Sequence, residues 1–141
     1  MKTSARNQFI GKVSQIRTGA INDEIDIELP GGDRLSAMIT RSSTESLGLK
    51  VGSQATALIK APWVMVATES DNVKFSARNN LAGTVENVTP GAVNTEVKIK
   101  LQGGNTVCAI ITNDSAKELN LVPGTRARAL FKASHVILAV P

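Results

Sequence analysis

Apolar residues recur at every second position through most of this chain, the period of a half-buried strand. Ile21, Ile25, Ile27 and Leu29 alternate with Asp26 and Glu28, and Val93, Val97, Ile99 and Leu101 alternate with Lys98 and Lys100. Pro30-Gly31-Gly32-Asp33 and Gln102-Gly103-Gly104-Asn105 follow these runs. Both have hairpin-turn chemistry, because glycine tolerates positive φ. Further strands are predicted over residues 35–40 and 107–112, 55–60 and 127–132, and 64–67 and 136–140. An opening strand over about residues 7–17 contains Gly11, which predicts a bend or bulge there. The polar runs SSTESLGL and DSAKELNL separate the third strand from the fourth. Ser42 with Glu45, or Ser115 with Glu118, has capping-box spacing, so one or two helical turns are expected. Gly52 and Pro123-Gly124 then break the chain before strand four.

The order β-β-β-α-β-β occurs twice because the sequence does. Ser4-Ala5-Arg6-Asn7 returns as Ser76-Ala77-Arg78-Asn79, an offset of 72 residues. At that offset Gly11 falls on Gly83, Gly19 on Gly91, Gly52 on Gly124 and Lys60-Ala61 on Lys132-Ala133. Roughly 28 of about 66 aligned positions are identical without a gap. The polar stretch 68–75 is the linker. A short helix between strands three and four of a five-stranded antiparallel unit is the OB-type arrangement. The expected fold is therefore all-β, two tandem OB-like barrels over residues 4–68 and 76–140. A unit this small is near the limit for folding alone, so the copies are expected to pack on each other or on other chains, as an oligomer.

Composition narrows the function. The chain has 141 residues, 42% hydrophobic and 3% aromatic, with a net charge of +4. That mild excess permits anionic partners without demanding a polyanion. No run of about 18 apolar residues is present, so no membrane partner is expected. The first dozen residues lack an apolar signal core, so a cytoplasmic location is expected. Cys108 and His135 are the only residues of their types, which removes an intrachain disulfide, a cysteine zinc site and most Ser-His-Asp schemes. Asp23, Glu24, Asp26 and Glu28 split across two strand faces and do not form a paired-carboxylate site. An enzyme is not expected. The alternative is an OB-type nucleic-acid-binding protein, which needs aromatic stacking platforms. Only Phe9, Phe75, Phe131 and Trp63 are available, Phe9 and Phe131 lie in strands, and the basic residues are scattered. The reading therefore assigns no nucleic-acid partner.

The polar residues that occur in both copies are Ser4/Ser76, Arg6/Arg78, Asn7/Asn79, Asn22/Asn94, Glu24/Glu96, Thr40/Thr112, Ser43/Ser115 and Lys60/Lys132. Arginine forks, lysine charges and hydroxyls, with backbone N–H groups beside Ala5/Ala77 and Ala61/Ala133, are what a small tetrahedral dianion requires. Each residue also has a plainer reading. Arg6 or Lys60 alone is a solvated charge, Thr40 a cap, Asn7 a turn former, and Glu24/Glu96 a structural pair, since a carboxylate opposes anion binding. On chemistry alone the two readings stand even.

SARNQFIGKV, the LPGG turn, ITRSSTESLGLKVG and LIKAPWVMVA resemble the Mop domain of molbindins, of the molybdate-responsive regulator and of molybdate transport ATPases. The second copy, SARNNLAGTV through LFKASHVILAV, resembles the same domain with more drift. Two tandem copies are similar to a dimeric-Mop molbindin, a cytoplasmic protein of molybdate storage and homeostasis. The resemblance implies molybdate or tungstate as ligand, no cofactor, and a homotrimer with ions at interfaces between Mop domains. It assigns oxyanion binding to Ser4, Arg6, Thr40 and Lys60, and to Ser76, Arg78, Thr112 and Lys132. Main-chain contacts fall to Ala5, Asn7, Ala61 and Pro62, and to Ala77, Asn79, Ala133 and Ser134. An axial site would use the turns Gly19-Ala20-Ile21-Asn22 and Gly91-Ala92-Val93-Asn94. The second copy departs from the pattern, with Ser134-His135 for Pro62-Trp63 and Asn113-Asp114 for Arg41-Ser42, so the two copies' sites are expected to differ in affinity.

Overall fold

The alternating runs form the strands they predict. In a computed structural model, which describes residues 1–68 and 73–141, the first copy gives β1 (Asn7–Thr18), β2 (Asn22–Glu28), β3 (Arg34–Thr40), α1 (Arg41–Ser46), β4 (Gln54–Ile59) and β5 (Met65–Thr68). The second gives β6 (Asn79–Pro90), β7 (Asn94–Leu101), β8 (Thr106–Thr112), α2 (Asn113–Glu118), β9 (Arg126–Phe131) and β10 (Ile137–Ala139). Four positions of the expected linker, 69–72, lie outside the described residues. Every strand pairing is antiparallel, in two curled five-stranded sheets. Among the described residues no helix is long and apolar enough to cross a membrane.

The sheets do not each come from one copy. Their orders are β10-β4-β1-β2-β3 and β5-β9-β6-β7-β8, so each takes four strands from one repeat and its fifth from the other. Ile137 to Ala139 pair with Leu58 to Thr56, and Met65 to Thr68 with Leu130 to Ala127. The exchange runs through two 3-10 turns unforeseen in the sequence, Ala61–Trp63 and Ala133–His135. The first packs on β8 and the second on β3. Their equivalent aromatic residues, Trp63 and His135, meet with ring centroids 4.9 Å apart, which puts both beside the pseudo-twofold axis. The hydrophobic core is accordingly one cluster drawn from both copies, with Ile25, Ile27, Val97 and Ile99 fully enclosed.

Three local expectations change. The bulge falls at Ser14, where the register steps from Val13–Ile27 to Gln15–Asp26, and at Glu86 in the second copy. Gly11 serves close approach instead: a Cβ there would lie 2.5 Å from the Glu28 carbonyl oxygen. The helix caps are Thr40 and Thr112, whose hydroxyls accept from the Ser43 and Ser115 N–H groups at 3.1 Å, not the Ser-Glu boxes. A strand ending on threonine satisfies an orphan helix donor without an extra loop residue. The alternation also fails at the start of β2 and β7. Ile21 and Val93 are exposed, while Asp23 and Thr95 are buried in their stead. Burial is tolerated because Asp23 accepts from the Gly19 N–H and Thr95 donates to Asn113 Oδ1.

Candidate functional site

The chain crossings bring recurrent polar residues together. Ser76 and Arg78 precede β6, and Lys132, Ala133 and Ser134 follow β9; all five line one pocket of about 240 Å³. Its remaining wall is Glu24 on β2 and Met38 on β3, from the first copy. The arginines are held by the opposite copy: Arg78 Nε lies 2.5 Å from Glu24 Oε1, and Arg6 Nη2 2.8 Å from Glu96 Oε2. Glu24 and Glu96 thus serve as structural ion-pair partners. Lys60 Nζ sits 5.4 Å above the Trp63 ring, a cation–π geometry.

Thr40 and Thr112 lie elsewhere. Thr40 joins Asn22, Ser43, Ser134 and Ile137 around a groove of about 470 Å³. Thr112 joins Asn94, Ser115, Pro62 and Met65 around one of about 460 Å³. Each threonine therefore faces the other copy's 3-10 turn, and not the lysine and arginine of its own repeat. Of the two turns read as axial, Asn22 and Asn94 reach these grooves, whereas Ile21 and Val93 project apolar side chains outward. The backbone there is partly committed: the Gly91 N–H donates to the Asn94 carbonyl, and the Gly91 carbonyl accepts from Asn113 Nδ2. Ser4 is exposed, and the Ala5 N–H donates to Thr3 Oγ1. Ala77 is half-buried.

Asn7 and Asn79 turn out to be staples rather than turn formers. Asn7 Nδ2 donates to the Cys108 carbonyl at 2.8 Å while its Oδ1 accepts from the Cys108 N–H at 2.7 Å. Asn79 makes the same pair with the backbone of Ser36, both bonds at 2.8 Å. Each amide replaces a strand neighbour and ties its copy to the third strand of the other. Only backbone is read, so Ser36 and Cys108 are free to differ; identical asparagines set against a drifting partner position were the available sequence signal. Burial beside Asn7 pushes the Cys108 thiol up.

Charge around the pocket is unequal between the copies. Arg17 Nη2 reaches both oxygens of Asp26 at 2.9 and 3.0 Å, and its Nε donates to Glu24 Oε2 at 3.4 Å. These hydrogen bonds, the one to Glu24 first, raise the Arg17 guanidinium above its ordinary value. The bond from Arg17 likewise holds the Glu24 carboxyl below the usual glutamate range. In the second copy Thr89 stands at the position of Arg17 and Lys98 at that of Asp26, with Lys98 Nζ 3.9 Å from Glu96.

Comparison with known proteins bears out the resemblance. The TOBE domain profile matches twice, over residues 3–66 and 76–138. The chain is 46% identical to the molybdenum transport protein ModE of Azotobacter vinelandii over 99% of its length, which is 52% of that protein. It is 45% identical to the molybdenum-pterin-binding protein MopA of Rhodobacter capsulatus over its whole length, 53% of that protein. It thus spans about half the length of the curated relatives it matches. A solved structure of the cytoplasmic molybdate-binding protein ModG with molybdate bound superposes with a TM-score of 0.95, at 50% identity and full coverage of both chains. This chain belongs to the TOBE domain family, as a tandem pair.

Proposed function

We propose that this tandem TOBE chain binds molybdate, and tungstate with it, as a cytoplasmic protein of molybdenum storage and homeostasis. The observation that carries the reading is the convergence of Ser76, Arg78, Lys132 and Ser134 on one pocket at the boundary between the copies. Two hydroxyls and two cations supply donors from several directions, which a bare tetrahedral dianion satisfies without a proton of its own. The relatives named for molybdate and molybdenum support the same ligand. By the repeat, Ser4, Arg6 and Lys60 form the counterpart site, and the repeat units 4–68 and 76–140 act as a pair. The open grooves at Thr40 and Thr112, with exposed Ile137 and Met65 beside them, support assembly into a trimer that closes the sites.

Five to seven charge-assisted bonds at roughly 1.5–3 kcal/mol each, less desolvation and ordering, leave about 8 kcal/mol, a micromolar dissociation constant. Such an affinity suits reversible storage. Sulfate, the smaller ion, leaves the same donors out of reach. Calorimetric titration of the purified protein with molybdate, tungstate, sulfate and phosphate tests the reading. Binding of the first two at micromolar Kd is expected, and Arg6→Ala or Lys132→Ala lowers the number of ions bound without unfolding the chain. The absence of both heat and any rise in Tm on adding molybdate would overturn it.

A further inference from the structure

An oxyanion pocket with a carboxylate in its wall needs that carboxylate neutralised by something other than the ligand's own arginine. Glu24 lines the pocket and pairs with Arg78, one of the groups an anion would claim. Left to Arg78 alone, Glu24 would compete with the ligand for its N–H groups. Arg17, the cross-strand neighbour of Glu24, offers the alternative partner. It is itself fixed by Asp26, which also accepts from the Ser36 hydroxyl at 2.8 Å. The other copy meets the same requirement differently. Thr89 is the cross-strand neighbour of Glu96 and offers no charge, but Lys98 replaces Asp26 and lies close to Glu96.

Resting on the oxyanion reading above, we propose that Arg17 is a positioning residue for the Arg78 site: it keeps Glu24 so that Arg78 can turn to an oxyanion. Lys98 does this for Arg6. The two sites of the chain are thus made competent by different residues, and without Arg17 the carboxylate of Glu24 would be left to Arg78. The role is one of orientation and charge balance; Arg17 does not line the pocket.

Molybdate titration of the full chain, in its native assembly, separates this from a structural role. Arg17→Thr, the residue found at the equivalent position, should weaken half of the sites about tenfold and leave the rest unchanged. Glu24→Gln should bind at least as tightly as wild type, and Arg17→Thr in the Glu24→Gln background should fall within about twofold of Glu24→Gln alone. A loss that persists in that background makes Arg17 merely structural and overturns the proposal, as does an unchanged Arg17→Thr. Should Arg17→Thr fail to fold, Lys98→Ala gives the reciprocal measurement. Without the ammonium beside Glu96 the Arg6 half of the sites should weaken several-fold, and an unaltered Kd overturns the inference. If wild type itself binds no molybdate, the oxyanion reading is what fails, whatever the variants do.

Discussion

The two copies share their strands, turns and caps, and differ at two of the places where they touch. Trp63 meets His135, and the turn holding Asp33 meets the turn holding Asn105. The Asp33 carboxylate accepts from the Gly103 N–H and Asn105 Nδ2, both at 2.8 Å, and Asn105 Nδ2 also donates to the Pro30 carbonyl. Two identical copies would place two aspartates, or two asparagines, at this contact. An acid opposite an amide instead gives every donor an acceptor and avoids facing like charges. The duplication therefore does more than double a unit. It lets the halves become complementary to each other at the pseudo-axis while the backbone-determining residues stay the same.

That comparison can be broken first at the staples. Asn7→Leu should destabilise by about 2–3 kcal/mol and Asn79→Leu by about 1–2 kcal/mol, since the first leaves the buried Cys108 N–H and C=O without partners and the second those of half-buried Ser36. Urea midpoints check this, and two near-neutral variants would mean the copies are not tied there. The next effect separates two adjacent glycines. Gly31 has φ +88° and a Cβ there would collide with the Gly103 carbonyl oxygen, whereas Gly32, at φ +96°, has open space around it. Gly31→Ala should cost about 2 kcal/mol and Gly32→Ala about 1 kcal/mol. Equal Tm losses would remove the turn–turn contact as a constraint.

Asn105→Asp should cost about 1–2 kcal/mol by setting two carboxylates together, and adding Asp33→Asn should recover at least half of it. Failure of the swap to recover anything would show that the contact is not complementary in the sense argued. The smallest effect is acid sensitivity. Because the Glu24 carboxyl is held low, its contribution is fully present above its ordinary value of about 4.3 and is lost as the pH falls through the lowered value. The Tm of wild type should therefore drop more steeply below about pH 4 than that of Glu24→Gln. Parallel curves would place no stabilising charge on Glu24.

Much of this was legible along the chain. The period of two gave the strands, the glycine pairs gave the hairpins, and the 72-residue offset gave the repeat and its recurrent donors. Ser76, Arg78, Lys132 and Ser134 were nominated from sequence, and they do line one pocket. The grouping by copy was not recoverable. The resemblance names Thr40 without saying which copy's residues it meets; it lines a groove with Ser134 of the other copy, and nothing local distinguishes a fifth strand that folds back from one that crosses over. Gly11 illustrates the same limit: a glycine in a strand signals either a bulge or a close approach, and only the neighbouring strand decides which.

The amino-acid sequence by itself determined the local conformations and the inventory of chemistry: period, turn residues, caps and the repeated cations and hydroxyls. These follow from steric and hydrogen-bonding preferences that act within a few residues. Only the tertiary structure decided which copy completes which sheet, which carboxylate each arginine meets, and that Asn7 and Asn79 clasp backbone far away. Those outcomes depend on contacts between segments about 40 to 100 residues apart, whose free energy comes from burying a shared core and is invisible to any local pattern.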